Sequence, residues 1–183
     1  MLVPAEVWTV AKAEQGSAVL IKPIGSEVAV PIFIGPLEAH AILIGLANHK
    51  MPRPLTHDLL IATLEQLGAK ISRIEITELK EGTFYGRLVL SRGGEDIVMD
   101  SRPSDCVALA VRAKCPIFID EAVVDEAGIP ISAADAEKTT TKTSEVHAQI
   151  AFLQKELEKA VEDENYEEAA QLRDQIKQLE KKL

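Results

Sequence analysis

Apolar positions alternate with polar ones from the start of the chain. Residues 2–12 (LVPAEVWTVAK) and 17–22 (SAVLIK) are rich in β-branched side chains and are separated by Gln15-Gly16, a pattern that predicts a β-hairpin. A third strand, EVAVPIFIG, follows, and Pro31 inside it predicts an edge position or a bulge, because proline has no N–H for a ladder. From Pro36 the period changes to that of a helix, with Leu37, Ala41 and Ile44 on one stripe and MPRP stopping it. A second helix, THDLLIATLEQLGA, starts at Thr56 as N-cap and closes at Gly68. Three further strand-like runs, KISRIEITEL, TFYGRLVLS and EDIVMDS, are joined by Glu81-Gly82 and Gly93-Gly94, so they predict an antiparallel meander with a bulge near Arg73. A third helix runs from about Pro103 to Lys114, and PIFIDEAVVDEAG supplies a short strand and a turn or short helix. The expected fold class is α+β, with mixed, largely antiparallel sheets of five to seven strands and three main helices.

The periodicity is lost over GIPISAADAEKTTTKTS, which divides a core of residues 1–131 from a tail of residues 145–183 by a linker at 132–144. In the tail, Ile150, Leu153, Leu157 and Ala160 form one heptad seam, and Ala169, Leu172, Ile176, Leu179 and Leu183 form another. Asn165 and Glu168 between them read as a capping box, so the tail predicts a coiled-coil-like α-helical hairpin. A lone hairpin buries little, which predicts packing on a partner protein or on a second copy; with the edge strands it points to a homo-oligomer, a dimer at least.

Charge narrows the function. The net charge of −9 is shared by both parts, 12 basic against 17 acidic residues in 1–131 and 8 against 12 in 132–183. Neither part has the positive excess by which proteins neutralise phosphates, so contact with nucleic acid has to rely on a local patch or on bridging metal ions, and is expected to be weak and salt-sensitive. No apolar run reaches the length of a membrane span, and no basic region followed by an apolar core opens the chain, so no membrane association and a cytoplasmic location are expected. Cys106 and Cys115 fall on opposite faces of one helix, too far apart to bridge, as in a reduced compartment. Trp8, Phe33, Phe84 and Tyr85 lie in strands and read as core; His40, His49 and His147 read as surface or packing.

Candidate chemistry gathers in two loops at helix starts, RPLTHD and DSRPSD. Glu38, Asp58, Asp100 and Asp105 offer carboxylates for a divalent metal such as magnesium or manganese, or for proton transfer. His57 carries imidazole, the side chain that changes protonation near neutral pH. Arg53 and Arg102 present planar forks suited to phosphate, and Ser104 a hydroxyl beside them. Together these suit phosphodiester cleavage, with His57, Asp58, Asp100, Asp105 and Glu38 as catalytic groups and Arg53, Arg102 and Ser104 binding phosphate. The same residues also have structural uses: Thr56 and Ser101 as caps, the acids against helix dipoles, each arginine paired with an acid of the other loop.

PIFIG, Glu38-Ala39, RPLTHDL, TFYGRL, DSRPSDCVALA and PIFIDE, in that order over residues 31–127, resemble the bifunctional nuclease family, with Cys106 where alanine is more usual. Plant members of that family are described as cutting both RNA and DNA, so the resemblance implies an RNA or DNA substrate. AVEDENYEEAAQLRDQIKQLE is similar to the UVR motif of the UvrB and UvrC repair proteins, with Tyr166 in place of a common phenylalanine. That resemblance implies a hairpin for protein contacts and no chemistry. Two functions therefore compete: a metal-assisted nuclease, and a non-enzymatic regulatory or scaffold protein whose core dimerises and binds a ligand while the hairpin docks a partner.

Overall fold

The computed structural model describes residues 1–13, 16–49 and 51–132; the linker, the tail hairpin and His147 lie outside the described residues. Strands β1 (Leu2–Ala13), β2 (Gly16–Pro23) and β3 (Val28–Ile34) lead into helices α1 (Pro36–Leu46) and α2 (Thr56–Gln66). The meander β4 (Ala69–Lys80), β5 (Thr83–Arg92) and β6 (Glu95–Ser101) follows, then α3 (Pro103–Ala113), β7 (Ile117–Asp120), α4 (Glu121–Ala127) and β8 (Ile129–Pro130). The class is α+β as expected, but with eight strands and four helices among the described residues. The strands form one mixed sheet in the order β6-β5-β4-β7-β1-β2-β3-β8. Among the described residues its one parallel pair is β4 with β7, where Ile74, Glu75 and Ile76 stand beside Ile117, Phe118 and Ile119.

Local chemistry accounts for most of these elements. The β4–β5 hairpin turns on Glu81 (φ 50°) and Gly82 (φ 75°), the paired left-handed conformations that a two-residue turn matching strand twist requires. Gly68 at φ 72° ends α2 as the sequence predicts. Pro31 sits opposite Leu20 of β2, while on its other side β3 has a neighbour only at Val28 and Ala29, so the missing N–H deprives no described ladder. The register shift between Ile71 and Arg73 is the expected bulge; others fall between Ile76 and Glu78 and between Val7 and Thr9. Two caps differ from expectation. Leu55 precedes α2, with its N–H donating to Asp58 Oδ2 at 2.9 Å, and Arg102 precedes α3 without a side-chain cap.

The eighth strand extends order into GIPIS, where the periodicity is lost: Ile131 N–H donates to Glu27 C=O, and both Ile129 and Ile131 pack against Ala18, Leu20 and Ala29. Val19 and Ile21, alternate residues of β2, belong to the main core, so β2 is buried on both faces. That main core joins Ile42 of α1, Val107 and Leu109 of α3 and Val123 of α4 to Ile74, Ile76, Leu88 and Leu90.

Helix α4 packs on both β3 and β4, which are separated in the sheet by β7, β1 and β2. Four strand spacings of about 4.8 Å span roughly 19 Å in a flat sheet, while seven helical residues extend only about 10 Å. The sheet therefore curls, and the bulges in β1 and β4 supply the bends. Curling brings the end of β3 towards the β4–β5 turn, and a cleft opens there.

Candidate functional site

Three helix starts meet beside that cleft. Glu38 lies in the first turn of α1, His57 and Asp58 in that of α2, and Asp105 in that of α3. Arg102, at the N-cap of α3, grips Asp105 with a fork: Nε donates to Oδ2 at 2.7 Å and Nη2 donates to Oδ1 at 3.2 Å. Its Nη1 donates to Glu38 Oε1 at 3.3 Å. The two carboxylates hold the guanidinium charged, Asp105 contributing most, and raise its pKa further. His57 Nε2 stands 3.7 Å from Asp105 Oδ1, a contact longer than a hydrogen bond. His57 is 19% exposed, Glu38 27% and Arg102 66%, so the line His57–Asp105–Arg102–Glu38 is half-buried at both ends and open at Arg102. RPLTHD and DSRPSD thus touch through His57 and Asp105.

A guanidinium has five N–H donors in a rigid fork, and these bonds engage three. The two left over belong to Nη1 and Nη2 on an exposed side chain. The cleft beside them holds about 330 Å³ and is lined by Glu38, Arg102, Ser104, Phe33, Thr83 and Phe84, among others.

Gly86, in the middle of TFYGRL, lets this loop lie down on the sheet. A Cβ there would stand 3.0 Å from Ser101 O, 3.2 Å from Cys106 Sγ and 3.3 Å from Pro103 N. Cys106 is wholly buried, which pushes its thiol up to about 11 and leaves it a packing group. Gly86→Ala is expected to destabilise the fold by about 1–3 kcal/mol, the usual consequence of overpacking. It should also loosen the Arg102 loop; a thermal melt that matches wild type would show that α3 does not rest on this glycine.

Other expected site residues go elsewhere. Asp58 Oδ1 accepts from Arg112 Nε at 3.0 Å, and Arg112, 8% exposed, also donates from Nη1 to Ala108 O at 2.7 Å. Asp58 is thus a tie between α2 and α3. Asp100 stands opposite Arg87 on β5 and is exposed; the register places it on the face away from Leu88 and Leu90, hence away from the helices. Arg53 is exposed and makes no hydrogen bond or ion pair among the described residues. Ser104 is buried and lines the cleft. The expected pairing of each arginine with an acid of the other loop therefore fails: Arg102 takes Asp105 of its own loop and Glu38 of α1. Among the described residues no three His, Cys, Asp or Glu side chains converge at ligand distance. With Asp58 held by Arg112 and Asp100 on the far face, the four carboxylates do not fit a divalent ion.

Sequence reasoning missed Arg112, Gly86 and the two phenylalanines of the cleft. Phe33 and Tyr85, expected in the core, are 67% and 40% exposed. Phe33 had one available signal: it is out of phase with Val30 and Ile32, which are buried in the core. No described helix is long and apolar enough to cross a membrane.

A family model for the bifunctional nuclease domain matches residues 19–132, and one for the UvrB/uvrC motif matches residues 148–182. An uncharacterized protein of Mycobacterium tuberculosis is 39% identical over 126 residues, covering 69% of this chain and 75% of that one. Bifunctional nuclease 1 of Oryza sativa subsp. japonica is 26% identical over 169 residues, 83% of this chain and 51% of that one. Bifunctional nuclease 2 of Arabidopsis thaliana is 25% identical over 179 residues, 87% and 54%. The chain spans about half the length of these two plant relatives.

Proposed function

Because this chain belongs to the bifunctional nuclease domain family, we propose that it hydrolyses phosphodiester bonds in RNA, DNA or both, at the cleft beside Arg102. The observation that carries this reading is the continuous line His57–Asp105–Arg102–Glu38 across three helix starts. The free N–H groups of Arg102 bind a phosphate oxygen and stabilise the charge that grows on it as water attacks. Helix N-termini nearby favour the same anion. Glu38, in the cleft, takes the proton of the attacking water. His57, held by Asp105, delivers a proton to the leaving oxygen as its bond to phosphorus breaks. Metal assistance stays outside this sequence of steps. The C-terminal UVR motif adds association, with a protein partner or a second copy.

A specific observation favours the second reading, a non-enzymatic binding or scaffold protein: Asp105 and Asp58 are both engaged by arginines, and a closed ion-pair network can simply fix α1, α2 and α3. One assay separates the two. Full-length protein is incubated with single- and double-stranded RNA and DNA, in magnesium, manganese or chelator, beside a His57→Ala, Asp105→Asn double variant. The expected result is cleavage by wild type and a loss of about a hundredfold or more in the variant. Equal cleavage by both would sink the site, and no cleavage under any condition would favour the scaffold.

A further inference from the structure

The hydrolytic steps leave Phe33 unused. Its ring is 67% exposed on a strand where Val30 and Ile32 are fully or nearly buried, and it lines the same cleft as Phe84, Arg102 and Glu38. Beyond Ala29, β3 has no outer strand among the described residues, so the sheet leaves that side of the ring open. An exposed phenyl face beside a guanidinium with free donors matches the way proteins hold an unpaired nucleotide. The ring takes the π-face of the base and the arginine takes the phosphate next to it. A duplex cannot use such a pair, because its base faces are covered by their neighbours.

We infer that the cleft selects single-stranded nucleic acid, with a base stacked on Phe33 and an adjacent phosphate on Arg102. The inference rests on the reading of Arg102 as a phosphate site. In a chain of net charge −9, stacking on the ring adds sequence-tolerant affinity to the one phosphate contact that Arg102 supplies. With one arginine facing the phosphate of a single strand, the salt dependence is shallow, a log–log slope of about −0.7.

The test uses full-length protein carrying His57→Ala, to separate binding from turnover, and fluorescence anisotropy of short labelled RNA and DNA, single-stranded and duplex. Phe33→Leu, which keeps bulk and loses the ring, is expected to weaken single-strand binding by about tenfold, and Phe33→Tyr to leave it within a factor of about three. Duplex should bind weakly and respond to neither. Unchanged affinity of Phe33→Leu, equal affinity for duplex, or no single-strand binding at all would overturn the inference. Binding that depends on Phe33, with no cleavage by wild type, removes the hydrolysis and keeps the stacking. Cleavage indifferent to Phe33→Leu does the reverse.

Discussion

Replacing Arg102 by alanine is expected to lower kcat/KM on RNA and DNA by about a hundredfold or more, the scale on which removal of one preorganised donor acts. The side chain is largely in solvent, and its pairs with Asp105 and Glu38 are exposed ones, so thermal stability should barely change. Arg102→Lys should not restore activity. An ammonium can hold its position near Asp105, but it cannot grip both carboxylate oxygens and still aim two N–H groups at phosphate. Paired melting curves and cleavage rates read this directly. If Arg102→Ala melts earlier while cleavage per folded molecule stays at the wild-type level, Arg102 is a tie between helices and the proposed phosphate site is wrong.

Asp58→Ala is expected to act on stability instead. It leaves the Arg112 guanidinium, 8% exposed, with only the Ala108 carbonyl as a described acceptor, and frees the Leu55 N–H. One nitrogen of that guanidinium, Nη2, already lacks a protein partner. Breaking a fully buried pair costs about 3–5 kcal/mol. Asp58 is itself 38% exposed, and solvent screening brings the expected loss down to about 2–3 kcal/mol, cap included. At roughly 2–4 °C per kcal/mol, the melting temperature should fall by about 5–10 °C. The double variant Asp58→Ala, Arg112→Met should recover most of this, since an apolar residue of similar length fills the space without a charge. A double variant as unstable as the single one would show that the pair is not the cause. Cleavage per folded molecule should stay within about tenfold of wild type; a larger loss would return Asp58 to the chemistry.

Asp58 and Asp105 show how far local sequence reaches. Both are acids in the first turn of a helix, three residues after its N-cap, and nothing in THD or PSD tells them apart. Their fates diverge through Arg112 and Arg102, and Arg112 lies 54 residues from Asp58. Asp100, next to the same loop, is lost to the site by strand parity alone, because the β5–β6 register turns it away from the helices.

The sequence by itself determined what depends on neighbours a few residues apart. Strand alternation, the positive-φ turns at Glu81-Gly82 and Gly93-Gly94, the end of α2 at Gly68, the bulge near Arg73 and the order of family motifs were all legible. These are set by backbone sterics and local burial, which act within one element. Only the tertiary structure decided the rest: the insertion of β7 between β4 and β1, the curl of the sheet around α4, and the meeting of three helix starts at Arg102. Those features join residues dozens of positions apart, where periodicity carries no information. They follow from burying one shared core, and that collapse left His57, Asp105, Arg102 and Glu38 in line while leaving Phe33 outside it.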